Sequence, residues 1–329
     1  MTNPICRAAI LSLTAGLTLA GSGVVGAEKP AAPSAGHVAA HGAGREPDDA
    51  LTLHLRDVDL VHVFFVLNDL TSQSFVIASD VKGKVSVDLE QVTPEEALAA
   101  MSSAGLVVGS GGLHRVSRAG SPPAAAAPSQ ASYTGKTISM SLENVELANV
   151  LCALGRSLQP MIEVRTERGA FPAPADQSSP SKVLVPHDLQ VRMSIFSSDL
   201  PWDQVFEGLV SSAGLISVLD GDRRLVGPGP EASVRTQPGA VDACEIPSER
   251  SPHAPVYHNL SDLDAADLKL VGLARKGDAW KAYAYSSSRQ ILSLQTGQKL
   301  RDARVTDVGP TGVAITTNAG RVLNVPLRP

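Results

Sequence analysis

The sequence predicts an α+β protein: two tandem small βαββαβ-type units, each with two helices on one sheet, then a C-terminal all-β sandwich or barrel, joined by disordered linkers. Three observations predict it. Leu55-Arg56-Asp57-Val58-Asp59-Leu60-Val61-His62-Val63 returns as Leu142-Glu143-Asn144-Val145-Glu146-Leu147-Ala148-Asn149-Val150 at a constant offset of 87 residues. Inside each copy the apolar period switches from two, as in a half-buried strand, to three and four, as in a helix. Beyond residue 266 the apolar positions form short alternating runs separated by turns, the pattern of an all-β domain.

The first unit spans 50–118. Leu51, Leu53 and Leu55 alternate as a strand. Leu60, Val63, Phe64 and Leu67 then fall on one helical stripe that faces a sheet, with Asp57 or Asp59 to cap the helix start. Val85, Val87 and Leu89 form a later strand. Thr93-Pro94-Glu95-Glu96 opens a second helix as a cap, a first-turn proline and a capping box. Ser103-Ala104-Gly105-Leu106 closes it, the glycine supplying a left-handed stop. Strands around 106–108 and 113–116 finish the unit.

The second unit spans 136–227 and repeats that order. Ile138, Met140 and Leu142 alternate; Leu147, Val150, Leu151 and Leu154 form the helical stripe, with Asn144 as cap; Val191, Met193 and Ile195 alternate again. Leu200-Pro201-Trp202-Asp203 opens a helix that ends at Ser212-Ala213-Gly214-Leu215, with closing strands near 215–219 and 224–226. The extra length of this copy, 166–187, is rich in Pro and Ser and reads as a long loop. The β-domain spans 266–329, with alternation over Ala279–Tyr285 and turns at Gly309-Pro310-Thr311-Gly312 and Asn318-Ala319-Gly320.

The remaining stretches read as processing and linker segments. Residues 1–27 pair Arg7 with an apolar run and small residues Val25-Gly26-Ala27, the pattern of a cleaved secretory signal peptide, which implies a periplasmic protein. Residues 28–49 read as a disordered tail, and 119–135 and 228–265 as linkers, the last holding six prolines. Of the mature cysteines, Cys152 lies on an apolar helix face, where a buried free thiol is expected; in an oxidising compartment it could instead pair with Cys244.

Little here points to chemistry. A net charge of -5 gives no electrostatic reason for a nucleic-acid partner. Gly135-Lys136-Thr137 runs into a strand, where a phosphate-binding loop would run into a helix. Ser179 and Lys182 have the spacing of an acylating pair, but lie in the Pro/Ser insert without a framework. His37 and His41 sit in the tail, His253 and His258 in a linker, and neither pair is preorganised for a metal. No catalytic residue, cofactor, metal site or small-molecule substrate is expected.

The repeated unit resembles the short N-terminal domains of outer-membrane secretins and TonB-dependent receptors. The resemblance rests on Arg56-Asp57-Val58-Asp59-Leu60, on Asp80-Val81-Lys82-Gly83-Lys84-Val85-Ser86-Val87, on Val92-Thr93-Pro94-Glu95-Glu96-Ala97-Leu98, and on Leu200-Pro201-Trp202-Asp203-Gln204-Val205. The C-terminal stretch is similar to PilP of type IV pili and its type II secretion counterpart, through Leu270-Val271-Gly272, Ala282-Tyr283-Ala284, Leu294-Gln295-Thr296-Gly297 and Val313-Ala314-Ile315. That resemblance implies a β-domain that docks onto a secretin's periplasmic part. With no channel domain up to residue 329, the combination implies an adaptor instead of the pore itself.

The expected function is therefore a non-enzymatic periplasmic assembly protein of a type IV pilus or type II secretion machine. Its partners are an outer-membrane secretin, inner-membrane pilus-alignment proteins, or further copies of itself. The alternative is a signalling module that contacts an anti-sigma regulator. The expected interface residues are Val85 and Val87, on a strand offered at a sheet edge, and Tyr283 and Tyr285, as an exposed aromatic patch, with the alternative that these two rings belong to the β-core.

Overall fold

The computed structural model describes residues 36–41, 50–109, 111–120, 133, 136–157, 183–220, 223–230, 234, 239–246, 260–287 and 289–328. Among these residues the protein is mixed α+β with four α-helices, and no sheet closes into a barrel. In chain order come β1 (Gly36–His41), β2 (Leu51–Asp59), α1 (Leu60–Thr71), β3 (Ser74–Ala78), β4 (Lys84–Val92), α2 (Pro94–Ser103), β5 (Leu106–Val108) and β6 (Leu113–Arg118). Then follow β7 (Thr137–Glu146), α3 (Leu147–Ser157), β8 (Val183–Pro186), β9 (Arg192–Pro201), α4 (Trp202–Ser212), β10 (Ile216–Asp220), β11 (Arg223–Gly227) and β12 (Ala240–Asp242). The chain ends with β13 (Lys269–Lys276), β14 (Ala279–Tyr285), β15 (Ile291–Leu294), β16 (Ala303–Gly309), β17 (Gly312–Thr317) and β18 (Val322–Pro326). The signal-peptide reading of 1–27 and nearly all of the 119–135 linker lie outside the described residues.

The chain divides into two compact units that do not follow the sequence boundaries. One gathers residues from 1–60, 83–104 and 257–329; the other gathers 61–82 and 105–256. The segment 50–118 is thus shared between units, and its strands enter two different sheets.

The first unit holds a six-stranded sheet, β1-β4-β2-β13-β14-β15, and a three-stranded sheet, β16-β17-β18. β2 and β4 alternate as expected: Leu51, Leu53, Leu55, Val87 and Leu89 are completely buried, and α2 lies against β1 and β4. The opposite face of the six-stranded sheet carries Leu273, Ala282, Ala284 and Leu294. These pack with Val305, Val308, Val313 and Ile315 of the small sheet, so the C-terminal stretch is a sandwich and not a barrel. The sandwich is not separate, because β13 pairs antiparallel with β2 from Gly272↔Leu55 to Lys276↔Leu51. The tail expected to lack order contributes β1, parallel to β4 from Gly36↔Val85 to His41↔Glu90.

The second unit holds a five-stranded sheet, β5-β6-β3-β9-β7, and a four-stranded sheet, β10-β11-β8-β12. α3 and α4 share one core with strands of both sheets, including Met193 and Ile195 of the first and Val183, Val185 and Val226 of the second. The two helices therefore lie between two sheets, where one had been expected. The buried face of α4, Val205, Phe206, Leu209 and Val210, is shared accordingly: the helix lies against β3, β6 and β9 of the first sheet and β10 of the second. β8 falls inside the expected 166–187 loop, as the apolar run Val183-Leu184-Val185 that ends it. β12 falls inside the expected 228–265 linker and pairs antiparallel with β8.

The expected second-helix signals are present. Thr93 Oγ1 accepts from the Glu96 N–H at 3.2 Å, the Glu96 carboxylate accepts from the Thr93 N–H at 2.7 Å, and Pro94 opens the helix. Gly105 (φ 82°) and Gly214 (φ 72°) take the left-handed conformation just past α2 and α4.

Two segments share one scheme of strand pairing. In 51–118, β2 pairs antiparallel with β4, β3 parallel with β6, and β5 antiparallel with β6. In 137–227, β7 pairs antiparallel with β9, β8 parallel with β11, and β10 antiparallel with β11. The two long ladders also share both irregularities. Register shifts fall between Leu51/Leu53 and Leu55/Val58 in one, and between Ile138/Met140 and Leu142/Val145 in the other. Asp57 (φ 51°) and Asn144 (φ 50°) occupy one matched bulge, Gln91 (φ 52°) and Asp199 (φ 51°) the other. The Asp57 and Asn144 N–H groups donate to Ser86 Oγ at 3.2 Å and Ser194 Oγ at 3.0 Å. These residues were expected to cap α1 and α3. Instead the left-handed backbone, which Asp and Asn tolerate, makes the bulge. The first helical N–H groups, on Leu60 and Leu147, bond the carbonyls of Gly83 and Val191, both at 2.8 Å.

Candidate docking edges

A strand edge presents a row of backbone donors and acceptors that another strand can take up. Three such edges are filled here by stretches distant in sequence. On β2 the occupant is β13. Its approach is close: a Cβ on Gly272 would collide with Leu55 Cδ2, which lies across the glycine. Any larger residue there would force the Leu55 side chain to move aside. The end of the junction is tied by Tyr285, whose hydroxyl oxygen accepts from the Asp59 N–H at 3.0 Å.

On β3 the occupant is β9, with Phe75 level with Phe196. Ser74 Oγ accepts from the Ser198 N–H at 3.1 Å, and Asn68 Nδ2 donates to Ser198 Oγ at 3.1 Å and to the Gln73 carbonyl at 2.7 Å. Phe65 meets Phe196 edge-on at 5.5 Å. Nearby, the buried His62 ring places Nε2 2.9 Å from the Glu143 carboxylate on β7. On β8 the occupant is β12, and here the tie is covalent. Cys244, two residues past β12, forms a disulfide with Cys152 on α3. The free thiol expected at Cys152 is thus corrected: β12 brings Cys244 to within a Cα–Cα distance of 4.9 Å.

The four residues expected to form the interface are not on the surface. Val87 and Tyr283 are completely buried, Val85 is 4% exposed and Tyr285 9%. β4 lies between β1 and β2, so Val85 and Val87 are not on an edge strand. Tyr283 stands level with Gly272 on β13, in the interior of the six-stranded sheet. Strand alternation alone does not say which face of β14 is covered, and both faces are.

The ionisable groups that do cluster lie on the other face of the first ladder. His54 Nδ1 is 2.7 Å from Asp88 Oδ1, Arg56 donates to Asp88 Oδ2 at 3.1 Å, and the His54 ring stacks on Trp280 at 6.3 Å. Arg275 caps the far end over the Trp280 ring at 5.5 Å. Burial pushes the Asp88 carboxyl up, but hydrogen bonds and positive charge from His54 and Arg56 outweigh that push and hold it below its ordinary value. His54, Asp88 and Glu90 lie close enough together to share a cation. Both Asp88 oxygens are already engaged, one by a guanidinium that repels a metal, so the donor set fits a structural ion-pair network and not a metal centre. The tail histidines His37 and His41 lie in β1, level with Ser86 and Glu90. Lys136 and Thr137 lead into a strand, as read; Ser179, Lys182, His253 and His258 lie outside the described residues.

The sequence reading missed β1, β8, β12 and the disulfide. The usable signals were the run Val183-Leu184-Val185, and the even count of cysteines left once Cys6 is removed. No family model, no curated protein and no solved structure matches the chain. No described helix is long and apolar enough to cross a membrane.

Proposed function

We propose that this chain is an exported, non-enzymatic adaptor that docks onto the periplasmic domains of a secretin in a type IV pilus or type II secretion machine. In this reading 50–118 and 136–227 are tandem copies of one secretin-N-like unit, and 266–329 is a PilP-like docking domain. One observation carries the proposal: the fold joins sequence-distant stretches by strand addition at three places, β2 with β13, β3 with β9 and β8 with β12. Strand addition supplies main-chain hydrogen bonds for affinity and alternate side-chain pockets for selectivity, a standard way for one protein to hold another. The matched bulges and pairing scheme support the tandem-copy part of the reading.

The test is affinity capture of the full chain, crosslinked in its own cell envelope, with identification of what comes with it. A secretin or an inner-membrane pilus-alignment subunit is the expected catch. Recovery of an anti-sigma regulator in their place would favour the signalling alternative and overturn the proposal.

A further inference from the structure

We infer, independently of the adaptor reading, that the Cys152–Cys244 bond is a thiol-operated latch: a dithiol reductant opens it and frees β12 from the edge of β8, while the rest of the second unit stays folded.

The two matched segments supply the contrast. β3 and β8 hold equivalent places, each parallel to the last strand of its segment. On the other edge each takes an antiparallel strand, β9 on β3 and β12 on β8. β9 has ten residues and is held on its far side by β7. β12 has three residues and, among the described residues, ends its sheet. The clasps differ too. Phe65 on α1 meets Phe196 on β9 edge-on at 5.5 Å. Cys152 on α3 stands at the position of Phe65, and it is bonded to Cys244, two residues past β12. A contact indifferent to redox conditions is thus replaced by a bond that thiols break.

Without that bond β12 has little to hold it. Three residue pairs join it to β8, from Ala240↔Pro186 to Asp242↔Leu184, and the Ala243 N–H donates to the Val183 carbonyl at 2.8 Å. Within 239–246 only Ala243 is buried; Val241 and Ile246 are half-buried. One methyl and so short a ladder are too little to order a strand by themselves. The core beside it has its own support. Leu147 and Leu151 of α3, Ile195 of β9, and Val205 and Leu209 of α4 are completely buried in one cluster. The bond is also within reach of a thiol: both cysteines are partly exposed, and Ala153 and Glu245, which follow them, are exposed.

Opening is a thiol–disulfide exchange. One thiolate of the dithiol attacks a sulfur of the pair, the Cys152–Cys244 bond breaks, a mixed disulfide forms, and the displaced cysteine takes up a proton. The second thiolate of the reductant then attacks the mixed disulfide and displaces the other cysteine, which is protonated in turn. The chain gains two electrons and two protons as two thiols, and the dithiol ends as its own disulfide.

The probe is dithiothreitol, added without denaturant to the oxidised full-length chain, with backbone amide exchange followed by mass spectrometry. On reduction, exchange over 240–244 is expected to rise roughly tenfold or more, and exchange over 183–185 to rise with it, while 193–197 on β9 and 202–212 on α4 keep their protection. C152A/C244A is expected to show the opened pattern with and without dithiothreitol. Because that variant could disturb folding, the reduced unmodified chain decides by itself. Unchanged exchange over 240–244 after complete reduction overturns the inference, since β12 would hold without the bond. Equal loss of protection over 193–197 also overturns it, since the bond would then staple the whole unit. So does a bond that dithiothreitol leaves intact in the folded chain.

Discussion

On β2 three leucines are sealed from water, while on β7 the matched Ile138, Met140 and Leu142 remain half-buried, although both ladders carry the same two bulges. The inner strands differ as well. Where β4 has Asp88, level with His54, β9 has Phe196, level with Ser141. β9 is buried on both faces over residues 193–197, and there Phe196 stands level with Phe75 and meets Phe65 edge-on. β4 continues only into β1, and its second face keeps a carboxylate. One backbone scheme thus serves two roles, and the neighbouring strand decides which side chains each ladder carries.

Four measurements break or sharpen this comparison. The largest effect is expected at the disulfide. At the position of Cys152 the first segment has Phe65, so only the second segment is stapled. The bridge spans 92 residues, and replacing both cysteines with alanine should lower unfolding free energy by about 4–5 kcal/mol on the chain-entropy account. Urea unfolding with and without reductant measures it; equal curves would show that the staple contributes nothing.

Next comes the leucine pair. L55A should cost about 2–5 kcal/mol, the range for a truncated core leucine, and L142A roughly half that or less. Equal losses would mean that β7 is covered as completely as β2. A smaller contrast concerns the caps. Thr93 makes a capping box, while Pro201 at the matched position makes no side-chain cap bond. T93A should cost about 1 kcal/mol, and no comparable cap loss should follow from P201A, as read by thermal unfolding of each variant.

The smallest effect is pH dependence. The Asp88 carboxyl is held below its unfolded value, so its contribution is complete at neutral pH and fades as pH falls through the carboxylate range towards the folded value. The melting-temperature gap between the parent chain and D88N should narrow on acidification. A gap that widens in acid would reverse the assignment.

Local elements were legible in the sequence because they follow from spacing within a few residues. The stripe Leu147, Val150, Leu151, Leu154 and the box Thr93–Glu96 both became helix features. The partner of each strand was not legible. Edge pairing is made by backbone groups that every residue carries, so nothing in Leu51–Leu55 says that Gly272–Lys276 will lie beside it. The interface residues failed for the same reason. Tyr283 alternates like a surface residue, yet it is completely buried on β14, between β13 and β15, a pairing that its own spacing does not announce.

The Cys152–Cys244 bond also has a consequence for proteolysis. Any single cut between these residues, including anywhere in 158–182, leaves both pieces covalently joined. A nicked molecule would therefore run as one band on a denaturing gel until a thiol is added, and as two fragments afterwards. Gels run only under reducing conditions would report as degraded a protein that is still in one piece.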